Sequence, residues 1–373
     1  MVFSPFERQA MARALALAAL GRRSTQPNPR VGCVIARDGR IVGEGWHQRS
    51  GEPHAEVFAL REAGEAARGA TAFVTLEPCN HHGRTPPCTE ALIAAGVSRV
   101  LYASGDPNPR VDGSGAARLR AAGIEVVTGL MAEEGEELNL GFFSRMRRGR
   151  PWLRLKLAAS LDGRTALADG ESRWITGEAA RADVHTWRAE SAAILSTAAT
   201  VLADDPELTA RPSDAASPAG LAPRPPLRVL LDARRRIPAQ ARVFATPGEV
   251  VRLVAPEHAA EPGSGDAGPR ERIAAIPVDG AGRLCLSAAL AWMGAEQINE
   301  AWVEAGPTLA GALLQAGLVD ELVVYLAPRL LGPDARPLAQ LAPPAGLAEV
   351  AGWQVKDLRQ IGADIRIMLR PDG

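Results

Sequence analysis

Short apolar runs of strand-like composition alternate with stretches of helical period along almost the whole chain. Residues 31–36 and 41–46 read as a pair of strands, because Asp38-Gly39 between them is a hairpin dipeptide. Residues 55–67 carry apolar positions at helical spacing, and residues 70–76 read as a strand. A second helix is expected to begin near Cys88, with Thr89 as its cap. Residues 99–103 and 125–128 follow as strands, and residues 115–122 and 131–143 as helices. Such alternation predicts a mostly parallel sheet covered by helices. The basic run 145–150 reads as a solvated linker, and Pro151 marks a boundary.

Beyond that boundary the alternation resumes. Strands are expected at 152–159, 192–195, 228–232, 250–254, 301–304, 321–326 and 364–369, and helices at 177–190, 286–293 and 308–316. Residues 212–226 and 256–268 are rich in Pro, Gly, Ala and Ser and read as exposed loops. The half lacks the G-x-G-x-x-G fingerprint of a Rossmann domain.

At 373 residues the chain exceeds the size at which a single core usually stops growing. Two domains are expected, at 1–147 and 151–371. The net charge of −1 leaves no electrostatic footprint for nucleic acid. Four cysteines make a disulfide framework improbable, and no apolar run is long enough for a membrane span, so a cytoplasmic protein is expected.

The chemistry-bearing pattern is His54-Ala55-Glu56, followed by Pro78-Cys79 and, after eight intervening residues, Cys88. One histidine and two cysteines supply three corners of a tetrahedral Zn²⁺ site, and a catalytic zinc keeps its fourth position open. Glu56, two residues past the histidine, is placed to take a proton from zinc-activated water and pass it to a leaving amine. Zinc nucleobase deaminases combine H-x-E with P-C-x-x-C, whereas here eight residues separate the two cysteines. A structural zinc site completed by His81 or His82 is the bland alternative, but such a site has no use for Glu56. With His54 and Glu56 in the first turn of one helix and Cys88 opening another, two helix N-termini converge on the metal. In the second half, Glu304-Ala305-Gly306-Pro307-Thr308 ends a strand and opens a helix, where exposed N–H groups can hold a phosphate, although a Gly-Pro turn before a helix is more often an ordinary loop. The polar turn Ala159-Ser160-Leu161-Asp162-Gly163-Arg164 is by itself compatible with a simple hairpin.

Longer motifs carry a resemblance. Pro27-Asn28-Pro29-Arg30-Val31-Gly32, Gly51-Glu52-Pro53-His54-Ala55-Glu56, Thr75-Leu76-Glu77-Pro78-Cys79 and Asp106-Pro107-Asn108-Pro109 mark the first half. Lys156-Leu157-Ala158-Ala159-Ser160-Leu161-Asp162-Gly163, Thr200-Val201-Leu202-Ala203-Asp204-Asp205-Pro206 and Val303-Glu304-Ala305-Gly306-Pro307 mark the second. Over nearly its whole length the chain resembles the bifunctional riboflavin-biosynthesis enzymes, which join a diaminohydroxyphosphoribosylaminopyrimidine deaminase to a 5-amino-6-(5-phosphoribosylamino)uracil reductase. The resemblance implies an α/β protein, with an N-terminal cytidine-deaminase-like three-layer α/β/α domain and a C-terminal dihydrofolate-reductase-like α/β domain.

It further implies Zn²⁺ on His54, Cys79 and Cys88, with Glu56 as the proton shuttle. Asn28, His47, Arg84, Asp106 and Asn108 would seat a pyrimidine ribose phosphate. In the reductase, which uses NADPH, it implies Ala158, Trp174, Thr200, Asp204, Ala305, Gly306, Pro307 and Thr308 at the cofactor. Ser172, Arg188, Leu208, Arg211 and Glu304 would hold substrate, with Lys156 and Asp204 orienting the ribityl hydroxyls. Similar enzymes often carry Ser or Thr after the aspartate matching Asp232, where this chain has Ala233. Arg234 to Arg236 could meet the 2′-phosphate of NADPH, but a solvated basic turn is the favoured reading, and NADPH over NADH rests on the resemblance. The family forms homo-oligomers, and a dimer through the C-terminal domains is expected. Two other readings compete: a tRNA-type deaminase, which calls for a basic flank and a C-x-x-C pair, and a zinc-stabilised scaffold without catalysis, which leaves Glu56 unexplained.

Overall fold

The computed structural model describes residues 2–81, 86–109, 111–212, 221, 224–259 and 271–372. The chain divides into two compact units, one built on Met1–Gly149 and the other on Arg150–Ala215 and Arg224–Gly373.

In the first unit, helix α1 (Pro5–Ala19) precedes the hairpin β1 (Gly32–Arg37) and β2 (Arg40–Trp46). Then come α2 (Ala55–Ala63), β3 (Thr71–Leu76), α3 (Cys88–Ala95), β4 (Arg99–Ser104), α4 (Ser114–Ala121), β5 (Glu125–Thr128), α5 (Ala132–Leu138) and α6 (Leu140–Arg148). Strand order is β2-β1-β3-β4-β5. The period-2 alternation of the strands divides the core. Cys33, Ile35, Ala72 and Val74 face α2, α3 and α4, whereas Val34, Ala36, Phe73 and Leu101 face α1, giving three layers. Helix α2 lies directly on β2, where a Cβ on Gly43 would come within 2.3 Å of Ala59 O and one on Gly45 within 2.4 Å of Ala55 O.

Several expectations are corrected here. The sheet is mixed rather than mostly parallel, since β1 runs antiparallel to both β2 and β3 and only the β3–β4 and β4–β5 pairs are parallel. Residues 131–143 form two helices, because Asn139 spends its amide on Arg30: Oδ1 accepts from Arg30 N at 2.8 Å and Nδ2 donates to Arg30 O at 2.9 Å. The α-helix expected over 55–67 stops at Ala63, where Gly64 adopts φ 53° and a 3₁₀ turn follows. Thr89 is not a cap. Pro87 holds that position, and the Thr89 hydroxyl donates to Asn80 Oδ1 at 3.0 Å. Residues 145–148 are not linker but the last turn of α6, where cations suit the helix dipole. Arg147 pairs with Glu136 and lies 4.6 Å over the Phe143 ring. Arg150 donates to both oxygens of Asp320, at 2.7 and 2.9 Å.

The second unit runs β6 (Trp152–Ser160), β7 (Arg164–Ala166), α7 (Glu178–Glu190), β8 (Ala193–Thr197), α8 (Ala198–Asp204), β9 (Leu227–Leu231), α9 (Arg242–Ala245), β10 (Val250–Val254), α10 (Pro256–Ala259) and β11 (Glu271–Ala275). It continues with α11 (Leu286–Ala295), β12 (Glu300–Glu304), α12 (Pro307–Gln315), β13 (Glu321–Ala327), β14 (Arg336–Pro337), β15 (Trp353–Ile361) and β16 (Asp364–Pro371). One nine-stranded sheet has the order β11-β10-β9-β8-β12-β6-β13-β16-β15, and β14 pairs separately with β7. From β11 to β13 every pair is parallel, and β16 and β15 close the edge antiparallel. The chain works outward from β8 to β11, then returns through α11 to insert β12 between β8 and β6. That reversal leaves a crevice at the carboxyl ends of β8, β12 and β6, the usual place for a ligand in an open α/β sheet. One sheet face buries Leu153, Leu155, Leu195 and Val303 beneath α11 and α12, and the other buries Ile194, Trp302, Val323 and Tyr325 beneath α7. Residues 256–259, expected as loop, form the short helix α10.

Candidate active sites

In the first unit the end of β3 and the openings of α2 and α3 bring three ligand atoms together. His54 is the N-cap of α2, Cys88 is the first residue of α3, and Cys79 follows β3. Their ligand atoms lie within 4.8 Å of one another, with His54 Nδ1 at 3.2 Å from Cys88 Sγ and 3.5 Å from Cys79 Sγ. The two thiols are shifted in opposite directions, with Cys88 pushed well above its usual range by its hydrogen bonding to Cys79 and by burial. Hydrogen bonding from Cys88 draws Cys79 down to about 4 against the desolvation that resists it. Glu56 is 3% exposed, its Oε2 has no hydrogen-bond partner, and burial pushes its carboxyl above the usual range. An imidazole nitrogen and two sulfurs are the donor set zinc prefers, and the orphaned carboxylate oxygen marks a group kept for chemistry.

Neighbouring side chains are tightly specified. Burial pulls His47 down to about 4, so its ring is neutral. Pro53 O, 3.1 Å from Nδ1, can only accept. The proton is therefore on Nδ1, and Nε2 accepts from Asn28 Nδ2 at 3.0 Å. This fixes the Asn28 amide, with Oδ1 turned toward Ser50 Oγ at 3.4 Å. Asp106 is 8% exposed, accepts from Asn108 N at 2.8 Å, and is pushed up to about 6 by burial. Arg84, and His82 of the alternative ligand set, lie outside the described residues.

Glu77 was not singled out from the sequence. Buried beside Pro78, it accepts from Gly113 N at 3.1 Å and Ala116 N at 3.0 Å, tying the Cys79 segment to the start of α4. Gly115 completes the clamp, since a Cβ there would lie 2.0 Å from Pro78 O. Nothing local in the sequence announces these contacts, although Glu77 stands in the motif that delivers the ligand.

The second unit holds a cleft of about 2130 Å³ at the carboxyl ends of its parallel strands. All fourteen second-half residues singled out above line it: Lys156 and Ala158 from β6, Ser172 and Trp174 from the segment before α7, Arg188 from α7, Thr200 and Asp204 from α8, Leu208 and Arg211 beyond it, and Glu304 through Thr308 between β12 and α12. At its floor Arg188 donates to Glu304 twice, Nε to Oε1 at 2.5 Å and Nη2 to Oε2 at 2.7 Å, and Nη1 donates to Thr209 O at 2.9 Å. Trp302 Nε1 adds a further bond to Glu304 Oε1 at 2.7 Å. Burial alone would raise the Glu304 carboxyl, but Arg188 and then Lys156 outweigh it and hold it at about 2. Burial lowers Lys156 from the ordinary lysine range. His185, not singled out from the sequence, accepts from Arg211 N at 3.2 Å and so pins the 207–211 segment to α7. At the mouth, Trp174 is 60% exposed, with the Arg181 guanidinium 4.5 Å from its ring centroid. Such a half-covered indole is a platform for a planar ring.

Two family models match: the cytidine and deoxycytidylate deaminase zinc-binding region over residues 5–104, and the RibD C-terminal domain over residues 151–367. The riboflavin biosynthesis protein RibD of Escherichia coli (strain K12) is 54% identical over 364 residues, covering 96% of this chain and 98% of the relative. The chain belongs to the RibD family. A solved RibD structure from Acinetobacter baumannii superposes with a TM-score of 0.90 at 44% identity, covering 99% of each chain. A Thermotoga maritima structure, described as a diaminohydroxyphosphoribosylaminopyrimidine deaminase/5-amino-6-(5-phosphoribosylamino)uracil reductase, superposes at 0.85 with 32% identity, covering 98% of this chain and 99% of that one. Set against the RibD pattern, the His54, Cys79 and Cys88 cluster falls in the half bounded by the zinc-binding model, and the cleft falls in the half matched by the RibD C-terminal domain.

Proposed function

We propose that this RibD-family chain catalyses two successive steps of riboflavin biosynthesis. The first is zinc-dependent hydrolytic deamination of 2,5-diamino-6-ribosylamino-4(3H)-pyrimidinone 5′-phosphate. The second is NADPH-dependent reduction of the ribosyl side chain, giving 5-amino-6-ribitylamino-uracil 5′-phosphate. The observation that carries the reading is the unpartnered, buried Glu56 oxygen beside a His-Cys-Cys cluster, in a chain whose other half holds a separate cleft.

His54, Cys79 and Cys88 would hold the zinc, and zinc bound there would supply the Lewis acidity that brings the pKa of water to about 7. Glu56 takes the proton at its carboxylate and, since burial favours its protonated form, returns it to the departing amine. Asn28, oriented through His47, and Asp106 and Asn108 read the polar edges of the pyrimidine and ribose, while Arg84 pairs with phosphate. In the cleft NADPH is the source of reducing equivalents. Trp174, Ala158, Thr200, Asp204 and the turn from Ala305 to Thr308 position it. Ser172, Arg188, Leu208, Arg211 and Glu304 seat the substrate, and Lys156 with Asp204 faces the ribose hydroxyls.

The deciding experiment gives the purified protein the diaminopyrimidinone ribose phosphate, with and without NADPH, and follows ammonia and NADPH separately. Both signals are expected, with NADPH oxidised only after ammonia appears. Absence of ammonia removes the deaminase, and ammonia without NADPH oxidation removes the reductase.

Asp106 gives the deamination an acid limb. Its carboxylate form, the one that accepts from substrate N–H groups, is lost as pH falls through about 6. The expected result is a fall in kcat/KM of about tenfold per pH unit below that value. Asp106→Asn should be slow throughout and lack the limb, and a profile identical to wild type would exclude the role.

Domains of 1–147 and 151–371 are proposed as the functional division, supported by the separation of the two clusters. No described helix is long and apolar enough to cross a membrane. A cytoplasmic location is proposed on the need for two reduced thiol ligands, and a small-molecule rather than nucleic-acid substrate on the balanced charge. We also propose a dimer through the C-terminal units, supported by exposed Val355 and Leu358 on the edge strand β15. Sedimentation as a monomer at micromolar concentration would remove that proposal.

A further inference from the structure

The two carboxylate oxygens of Glu304, at the floor of the cleft, are not equivalent. Its side chain is 14% exposed. Oε1 accepts twice, from Arg188 Nε at 2.5 Å and from Trp302 Nε1 at 2.7 Å, which fills both of its lone pairs. Oε2 accepts once, from Arg188 Nη2 at 2.7 Å, and has no other hydrogen-bond partner among the described residues. One acceptor position on Oε2 is therefore left for a ligand. The arginine fork by itself bonds the two oxygens alike and would leave an open position on each. The asymmetry comes from the Trp302 N–H alone.

That N–H is held by a rigid surrounding. Trp302 is fully buried on β12, and its ring stacks on that of Trp187 from α7, with centroids 5.7 Å apart and planes within 3°. Side chains alternate along a strand, so Trp302 and Glu304 share one face of β12. On α7, Trp187 is followed directly by Arg188. Two neighbouring residues of the helix thus meet two residues of the strand, Trp187 on Trp302 and Arg188 on Glu304, and the Trp302 N–H joins the pairs. The guanidiniums of Arg154 and Arg366 lie 5.3 and 5.5 Å from the Trp187 ring centroid, where the π-face attracts them, and each is fixed by two carboxylates.

The two indoles of this stack differ in one respect. Trp187 Nε1 is buried and has no hydrogen-bond partner among the described residues, whereas Trp302 Nε1 is spent on the site. Trp187 therefore contributes ring surface, and Trp302 contributes ring surface and a directed donor.

We propose that Trp302 is a positioning residue of the reductase, which saturates Oε1 of Glu304 and so leaves Oε2 as the single acceptor offered to the substrate. An ionised carboxylate only accepts, so the part of the substrate that meets Oε2 is an N–H or O–H group, bound in one orientation. The inference rests on the reading of the cleft as a reductase in which Glu304 seats the substrate.

Its test is steady-state NADPH oxidation on pre-deaminated substrate by the full chain as wild type, Trp302→Phe and Trp187→Phe. Each substitution keeps an aromatic ring in the stack and deletes one indole N–H. In Trp302→Phe the KM for the deaminated substrate should rise by roughly 10–100-fold, with kcat within about threefold and the KM for NADPH within about twofold of wild type. In Trp187→Phe all three should stay within about twofold. NADPH binding, followed by the fluorescence of the reduced nicotinamide, shows that the unit is folded. Trp302→Met, which also lacks the N–H, takes the place of Trp302→Phe if the latter does not bind NADPH. Equal losses in the two phenylalanine variants would assign the effect to packing of the stack and overturn the proposal. An unchanged substrate KM in Trp302→Phe, or a loss carried by kcat alone, overturns it as well and leaves the reductase reading standing. A wild type that oxidises no NADPH on this substrate overturns both.

Discussion

Glu56→Gln is expected to lower ammonia release by about 10²–10⁴-fold while leaving NADPH oxidation on pre-deaminated substrate at the wild-type rate. The amide keeps the shape of the side chain but cannot take a proton from water. No protein hydrogen bond to Oε2 is lost, because none exists. Removing a buried ionisable group that burial disfavours should leave stability unchanged or slightly raised. Zinc content, read by metal analysis on the same protein, should also be unchanged, since the three ligands remain. A Glu56→Gln protein that still released ammonia at more than a tenth of the wild-type rate would remove Glu56 from the proton path.

The second large effect belongs to the cleft. Arg188→Met leaves the Glu304 carboxylate buried, with Trp302 Nε1 and Lys156 as its remaining favourable contacts. Breaking a buried ion pair from one side costs about 3–5 kcal/mol, far more than the intact pair contributes against a hydrophobic replacement. The variant should therefore unfold its second unit earlier in urea and lose NADPH oxidation. Trp46 is the only one of the seven tryptophans before Arg150, so indole fluorescence reports chiefly on that unit. The loss has a pH signature. In wild type Glu304 is held at about 2 against an ordinary 4.5, so its contribution is fully present above pH 4.5 and is lost as pH falls towards 2. From that difference the contribution is about 3 kcal/mol. Without Arg188 the burial that raises the carboxyl is left largely unopposed, so the loss below pH 4.5 should disappear and stability should instead improve on acidification above pH 4.5, as pH falls through the raised folded value. Equal urea midpoints for the two proteins at pH 7 would show that the pair bears little of the unit's stability.

Local signals made much of this protein legible. The hairpin around Asp38-Gly39 needs positive φ at both residues, and both have it, 51° and 73°. The zinc cluster could be read because His54 and Cys88 are tied to helix starts and Cys79 to a strand end, so spacing along the chain translated into spacing in the fold. The cleft residues were found through the resemblance, because they come from six separate segments that no periodicity links. Helix α1 was missed although Ser4 and Glu7 form a capping box and Pro5 stands at its first position. Its buried stripe, with Ala10, Ala14 and Ala18 beside Met11 and Leu17, is too weakly apolar to stand out from an alanine-rich stretch. Strand β15 was missed for the opposite reason. It is an edge strand with most of its side chains exposed, so no alternation of burial is written into its sequence. The mixed direction of the first sheet was likewise out of reach, since which neighbour a strand takes is decided by packing over long sequence separations.

The hydrogen bonds around Cys79 and Cys88 give the segment between them a closed neck. Cys88 N donates to Cys79 Sγ at 3.4 Å, Thr89 N to Cys79 O at 3.2 Å, and the Thr89 hydroxyl to Asn80. The two sulfurs are thus set by the strand end, the helix start and the neck, not by the number of residues strung between them. An eight-residue interval can therefore deliver the same pair of ligands as a two-residue one, so the number of residues between the cysteines is no measure of the distance between their sulfurs.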